Sequence, residues 1–444
     1  MSKTILFSPV GGTDPISLSN IRDGSLLHIC RVYRPDKIIM YMSREILDFH
    51  KLDNRYCYCI DRLAELLDHQ FEYEIVERPN LTEVQDFDFY YEDFSQILKK
   101  LMDEMEAGDR LLLNTSSGTP SMKSGLLVLQ TLGDYPCTAI QVSTPTRKMN
   151  EHIHKDYDVS LLWELNEDNT RDFENRCKEI KCLNLSRLKN EEIIKRHVLA
   201  YDYAAALSVA EAMPEEYTKT YIHMLEFALF RESLDFKALD NMSSLKIGFQ
   251  LPVRDRNYRE YMEYALELDI KGRQKKYADF IRAISPLFVD LLVLALKKNT
   301  SVKLEDYCSI TEGTLKWDQR KLKDTDVLKV LNRENGGYFQ GTYMQSMHIM
   351  QLIKEYAADD KLKKLVEDIR DVEQSVRNLA AHQIITVNEQ RIKNLTKTKD
   401  VPEGYSADQI MSMIKALFKY TEIPVKKEYW DSYDDMNQKI LSLM

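Results

Sequence analysis

Residues 110–132, RLLLNTSSGTPSMKSGLLVLQTL, decide how the first part of the chain folds. Arg110 to Asn114 is a short apolar run with the composition of a buried strand. Thr115 to Pro120 gathers hydroxyls, a glycine and a proline, the residues of a tight exit loop. Ser121 to Leu132 reads as a helix. The loop delivers small residues, hydroxyls and backbone N–H groups onto that helix N-terminus. Such a loop suits an anion or a phosphate, and Lys123 adds a charge one turn in. The same residues also serve as a plain βα turn in which Ser and Thr cap the helix.

Upstream, the pattern repeats. Thr4 to Val10 is β-prone and breaks at Gly11-Gly12-Thr13-Asp14-Pro15. Asp36 to Met42 is a second strand, Asn54 to Asp68 a helix and Phe71 to Val76 a third strand. Tyr91 to Glu106 is a helix with its apolar stripe at Phe94, Ile97, Leu98, Leu101, Met102 and Met105, closed by Gly108. Cys137 to Ser143 follows as a further strand. Alternating strands and helices predict an α/β fold with a parallel, doubly wound sheet. Ligands of such sheets sit outside the C-terminal ends of the strands, at the switch point. Two loops belong there: Gly11, Gly12, Thr13 and Asp14, and Asn114, Thr115, Ser116, Ser117, Gly118 and Thr119. Neither carries the third glycine of G-x-G-x-x-G or the second glycine of a Walker A loop, so dehydrogenase and P-loop NTPase readings are poorly supported.

Beyond Asn166–Arg176, a polar stretch read as a linker or an exposed helix start, strands largely vanish and the chain becomes all-α. Arg256 to Lys298 predicts long helices kinked or restarted at Pro286. Leu362 to His382 carries apolar residues at Leu362, Leu365, Val366, Ile369, Val372, Val376, Leu379 and Ala380, with charges on the other face. Near its end stand Arg377, Asn378 and His382, spaced R-N-x-x-x-H. An Arg before a helix-terminal His is ordinary in itself. At about 100° per residue, five steps place the two side chains roughly 140° apart. They converge only if the helix bends or ends, or if a second copy completes the site. Their chemistry suits RNA cleavage: His passes a proton near neutral pH, and Arg clamps a phosphate. With the RNA's own 2′-hydroxyl as nucleophile, neither a metal nor a cofactor is expected.

Length predicts two or three domains in 444 residues. The net charge of −10 disfavours broad nucleic-acid coating and leaves room for a local positive cleft. Candidate patches are Lys297, Lys298 and Lys303; Lys316, Arg320, Lys321 and Lys323; and Arg391, Lys393, Lys397 and Lys399, although such a run is more often just a solvated face. The seven cysteines, widely spaced and without C-x-x-C, predict reduced thiols and, with no signal peptide, a cytoplasmic protein. No apolar run reaches a membrane span. His152 and His154 lack the further ligands of a zinc site.

The first strand's F-S-P-V-G-G-T-D-P and the fourth's L-N-T-S-S-G-T-P-S-M-K resemble the CARF domains of type III CRISPR accessory proteins. The C-terminal R-N-x-x-x-H helix resembles the HEPN ribonucleases. A CARF-like start before a HEPN-like end is similar to the Csm-type accessory ribonucleases of type III-A CRISPR systems. That resemblance implies a CARF sensor over 1–170, a helical linker over 171–250 and a HEPN domain over 251–444. It implies a homodimer that binds cyclic oligoadenylate, hexa-adenylate favoured over tetra-adenylate, through Gly11 to Asp14, Asn114 to Thr119 and Lys123. It also implies that paired Arg377, Asn378 and His382 cut single-stranded RNA without a metal, leaving 2′,3′-cyclic phosphates, and that the CARF domain can degrade its own activator. The link to the type III effector complex is functional rather than a stable association, with neither membrane nor DNA as partner. The alternative is a non-catalytic nucleotide sensor whose helices bind a partner. A CARF transcription factor is disfavoured, because no helix-turn-helix with a basic recognition helix is found.

Overall fold

The computed structural model describes residues 2–132, 135–145, 157–242, 248–311, 314–340, 343–380 and 387–444. Within 376–380 it describes the backbone only. The chain divides into two compact units, Met1–Lys189 and Asn190–Met444.

In the first unit, β1 (Thr4–Pro9), β2 (Lys37–Ser43), β3 (Glu72–Arg78), β4 (Arg110–Asn114), β5 (Cys137–Val142) and β6 (Cys177–Ile180) form one six-stranded sheet. Its order is β3-β2-β1-β4-β5-β6. The first five strands are parallel, and β6 runs antiparallel to β5. The strand order reverses between β1 and β4, which are direct neighbours. The ends of these two strands therefore flank the crevice where an open α/β sheet binds ligands.

The two-residue period of β1 explains the double winding. Leu6 points to one face, with Ile38, Met40 and Leu112, against α1 (Ser25–Tyr33) and α2 (Arg55–Leu67). Ile5 and Phe7 point to the other, with Ile39, Tyr41, Leu111 and Leu113, against α3 (Phe87–Glu104) and α4 (Pro120–Leu132). Strands covered on both faces read as continuous apolar runs, and β1, β2 and β4 do.

Two expectations are corrected here. Asn166–Arg176 is no exposed linker: Asn166, Asp168 and Arg176 are buried. Arg176 donates to Asp168 Oδ2 at 2.9 Å, and Arg31 donates from Nε to Asp23 Oδ2 at 2.6 Å. His28 Nε2 accepts the Arg176 backbone N–H at 3.0 Å, and its Nδ1 lies 3.6 and 3.7 Å from Asp23 Oδ2 and Asp168 Oδ2. Burial pushes both carboxyls up, but His28 and the two arginines outweigh it and hold Asp23 low and Asp168 at about 2. Asp23, His28 and Asp168 lie close enough to share a metal, yet the two guanidiniums already neutralise the carboxylates. The second correction concerns strands. β6 and an antiparallel hairpin, Cys308–Thr311 with Thr314–Trp317, lie where few strands were expected.

The second unit is chiefly helical. Helix Ile222–Glu232 buries Arg231 completely; its Nε donates to Glu263 Oε2 at 2.6 Å, and its guanidinium lies 4.1 Å from the Tyr433 ring centroid. That pair ties together helices Ile222–Glu232, Arg259–Arg273 and Ser432–Leu443. Pro286 neither ends nor restarts a helix: Tyr277–Asn299 runs through it, burying Ile284, Leu287 and Phe288 around it. The break falls earlier, where Lys275 takes a left-handed φ of 59°. Helix Asp360–Ala380 buries Leu362, Val366, Ile369 and Val372, as its spacing predicts, and packs on Tyr277–Asn299 and Ala407–Phe418. Among the described residues no helix is long and apolar enough to cross a membrane.

Candidate functional site

The β1 and β4 exit loops lie against each other, backbone to backbone. A Cβ on Gly11 would sit 2.8 Å from Gly118 N and 2.9 Å from Ser117 Oγ, so no larger residue fits there without displacing the facing loop. Gly118 has φ +83°, and a Cβ on it would meet Met122 Sδ at 2.7 Å and Pro9 Cβ at 3.0 Å.

Asp14 fastens this junction from below. It is buried, and its Oδ1 accepts the Leu26 N–H at 3.0 Å while Oδ2 accepts Gly11 N–H at 3.2 Å. The Ser117 hydroxyl also donates to Oδ2. One carboxyl thus joins the first loop, the start of α1 and the second loop. Burial pushes that carboxyl above the usual range, against the pull of Ser117 and the two amides.

Asn114 is equally inward. Its Nδ2 donates to Ser8 Oγ at 2.9 Å and Ser25 Oγ at 3.1 Å, and its Oδ1 accepts Ser116 N–H at 3.0 Å. Thr115 Oγ1 donates to the Ile140 carbonyl at 2.9 Å, and Ser116 Oγ accepts Val142 N–H at 2.7 Å. Thr119 Oγ1 donates to the Val84 carbonyl at 2.9 Å and accepts Met122 N–H at 3.3 Å, capping α4 with Pro120 in first position.

Above this framework lies a cavity of about 350 Å³. Gly11, Gly12, Gly118 and Thr119 line it, joined by Ser43, Glu45, Ile46 and Phe49 from the β2 exit and its helix Arg44–Asp53. Val84 completes that side. Of the sequence-predicted set, then, four residues face the cavity. Asp14, Asn114, Thr115 and Ser117 are buried supports, while Thr13, Ser116 and Lys123 are half-buried and outside the lining. Among the described residues, the Gly118 amide makes no hydrogen bond within the protein and borders the cavity, so it remains available to an anion. Among the described residues the lining has no cation, and Glu45 is its one acidic residue. Sequence reading missed Ser43, Glu45, Ile46, Phe49 and Val84. The switch-point rule, applied to the second strand as to the first and fourth, would have reached Ser43 and Glu45.

In the second unit, Arg377 and Asn378 lie on the last turns of helix Asp360–Ala380, in the backbone-only stretch, and His382 lies outside the described residues, as do His152 and His154. A turn before the motif, Glu373 is buried and accepts from Arg370 Nη1 at 3.3 Å. His348 is a core acceptor: Trp317 Nε1 donates to its Nδ1 at 3.1 Å. Burial and the nearby Arg370 lower the imidazole to about 4.

A six-stranded sheet whose parallel part runs in the order 3-2-1-4-5, with a cavity at its switch point, followed in the chain by a helical unit that carries R-N-x-x-x-H, defines a protein of two units, an α/β unit with a cavity where such sheets take ligands and a helical unit. Comparison with known proteins matches three successive segments of the chain. Residues 72–177 match the Csm6 CARF domain, 180–232 the Csm6 6H domain and 250–441 the Csm6 HEPN domain. The CRISPR system endoribonuclease Csm6 of Mycobacterium tuberculosis is 30% identical over 418 residues, 92% of this chain and 93% of its own length. That of Streptococcus thermophilus is 26% identical over 457 residues, 99% of each chain. A solved structure of Enterococcus italicus Csm6 bound to cyclic hexa-2′-fluoro-hexa-dAMP shares the fold across 100% of both chains, with a TM-score of 0.69 at 19% identity. The chain belongs to the Csm6 family of CRISPR system endoribonucleases. The second loop, Asn114 to Thr119, lies inside the matched CARF segment, and Arg377, Asn378 and His382 inside the HEPN segment.

Proposed function

We propose that this chain is a cyclic oligoadenylate-activated, metal-independent endoribonuclease that cuts single-stranded RNA in cytoplasmic type III CRISPR defence. Residues 1–170 sense the activator, 171–250 link, and 251–444 cut. The observation that carries the reading is the cavity at the switch point: a free amide and small residues, ready for a phosphodiester, on a chain whose other unit holds R-N-x-x-x-H. Its phosphates rest on the Gly118 amide at the α4 N-terminus, and Gly11 and Gly12 close over it. Hexa-adenylate is the favoured ring, over tetra-adenylate.

Binding across a homodimer brings two motifs together. At the shared site a base takes the proton of the RNA 2′-hydroxyl, and that oxygen attacks the adjacent phosphorus. The bond from phosphorus to the 5′-oxygen breaks, and that oxygen takes up a proton, leaving a 2′,3′-cyclic phosphate and a 5′-hydroxyl. His382 transfers the proton, Arg377 carries the extra phosphate charge and Asn378 orients them. The same 2′-hydroxyl chemistry in the bound ring lets the first unit degrade its activator and so time the nuclease. The effector complex supplies the activator without lasting contact.

The test is cleavage of labelled single-stranded RNA in EDTA, with and without cyclic adenylates of each ring size. Activator-dependent cleavage giving cyclic-phosphate ends supports the reading. Binding without any cleavage would replace it with a non-catalytic sensor.

A further inference from the structure

The second unit holds a pocket that the R-N-x-x-x-H motif does not use. It has a volume of about 710 Å³ and is lined by Lys298, Lys415, Lys419, Lys426 and Lys427, with Trp430, Phe418, Ile423, Pro424 and Val425 as its apolar wall. No carboxylate lines it, on a chain whose net charge is −10. The fold builds this concentration of charge. Helices Tyr277–Asn299 and Ala407–Phe418 bring their C-terminal ends together there. Lys298 Nζ donates to the Thr421 carbonyl at 2.6 Å and to the Lys419 carbonyl at 3.2 Å, so its charge serves the helix end. Lys415 Nζ stands 5.0 Å from the Trp430 ring centroid and 3.5 Å from Asp269 Oδ1. The remaining three have no such duty. Among the described residues Lys419, Lys426 and Lys427 pair with no carboxylate, and all three are exposed. Phe418 packs edge-on to Trp430 with centroids 5.4 Å apart and fixes that ring in place.

Three unpaired cations beside a fixed indole and a proline are what a single-stranded nucleic acid needs: charge for the backbone and a flat apolar surface for a base. The pocket's helix Ala407–Phe418 packs on the motif-bearing helix Asp360–Ala380. We infer that this pocket is a second RNA-binding site, which holds a nucleotide of the substrate strand away from the scissile bond. The base lies against Trp430 and Pro424, and flanking phosphates meet Lys419, Lys426 and Lys427. This rests on the proposed RNA-cutting function only for the identity of the polymer.

The experiment uses the full chain and a fluorescein-labelled, fully 2′-O-methylated single-stranded RNA, which binds but cannot be cut. Anisotropy gives Kd against salt for the parent, for Trp430→Ala and for the triple variant Lys419→Gln, Lys426→Gln, Lys427→Gln. Loss of stacking on Trp430 raises Kd about tenfold. The triple variant flattens the log–log salt slope by about 2, at about 0.7 per lost phosphate contact. In parallel, the loss of kcat/KM is larger for a long RNA than for a dinucleotide. Thermal melts and sedimentation of each variant accompany the titrations; Trp430→Leu, which stays apolar but has no flat ring, replaces Trp430→Ala if the latter melts early. Unchanged Kd and slope in well-folded variants overturn the inference. So does a shift in oligomeric state without loss of RNA affinity, which assigns the pocket to a second copy of the chain. Because binding is read on uncleavable RNA, a parent that fails to cut RNA refutes the catalytic reading alone.

Discussion

The two cavities meet anions by opposite means. The switch-point cavity of the first unit has no cation in its lining among the described residues; it offers an amide, small residues and hydroxyls braced by Asp14 and Asn114. The pocket of the second unit offers three lysines that pair with no carboxylate among the described residues, beside an indole that Phe418 holds in place. Fixed amides suit a ligand of one shape, such as a closed ring, because they reward position more than charge. Exposed, unpaired lysines suit a polymer of any sequence, because they reward charge wherever it falls. The difference teaches that net charge says little about where a chain can offer a site to a phosphate.

Four results would break or sharpen that contrast. The largest concerns the motif that neither cavity contains. Arg377→Ala or His382→Ala lowers the RNA cleavage rate by about 10²–10⁴ while activator affinity stays within a few-fold of the parent. Single-turnover kinetics beside calorimetry of the activator decide it; near-parental cleavage in both variants refutes the assignment.

Next is the clasp. Asp14→Ala leaves the Ser117 hydroxyl and the Gly11 and Leu26 amides without their acceptor. The expected cost is about 2–4 kcal/mol in urea unfolding, together with lost activation. Asp14→Asn, which keeps one carbonyl acceptor, costs less. Equal stability of all three forms would show that the loops hold without the carboxyl.

A third result concerns acid. The folded imidazole of His348 titrates at about 4, below its ordinary 6.5. A lowered histidine contributes its stability in full above its unfolded pKa and loses it as pH falls toward the folded value. The second unit therefore loses up to about 3 kcal/mol between neutral pH and about 4 through this group. His348→Gln flattens that part of the curve; a slope identical to the parent's means that the buried His348 imidazole is not the acid-sensitive group.

The smallest effect is the most direct on the contrast itself. Activator affinity falls only weakly with salt, because the switch-point lining has no cation, whereas affinity for long RNA falls steeply. Matching slopes for the two ligands would erase the distinction between the sites.

Most of the first unit was legible in the sequence because its strands are continuous apolar runs and its exits are punctuated by Gly, Ser, Thr and Pro. Asn166–Arg176 was misread because polar residues buried in an ion-pair network look like a linker: nothing local distinguishes Asp168 in contact with Arg176 and His28 from an Asp in water. The edge strand Cys177–Ile180, sequence CKEI, pairs on one side only and keeps a polar composition. Glu45 and Phe49 reach the switch-point cavity from the helix after β2, a juxtaposition made by the sheet order alone. The lysine pocket escaped for a related reason. Lys298 stood in a candidate patch, but Lys415, Lys419, Lys426 and Lys427 come to it only when two helix ends meet.

The central claim is that ligand capture in the first unit switches on RNA cutting by the second. The most direct measurement is the cleavage rate of a labelled single-stranded RNA by the full chain in EDTA, titrated with cyclic hexa-adenylate, for the parent and for the Arg377→Ala, His382→Ala double variant. The account predicts a rate that climbs at least tenfold and saturates with activator in the parent, and stays at background in the double variant although the activator still binds. A parental rate indifferent to every cyclic adenylate, or activator-dependent cutting that survives in the double variant, would contradict it.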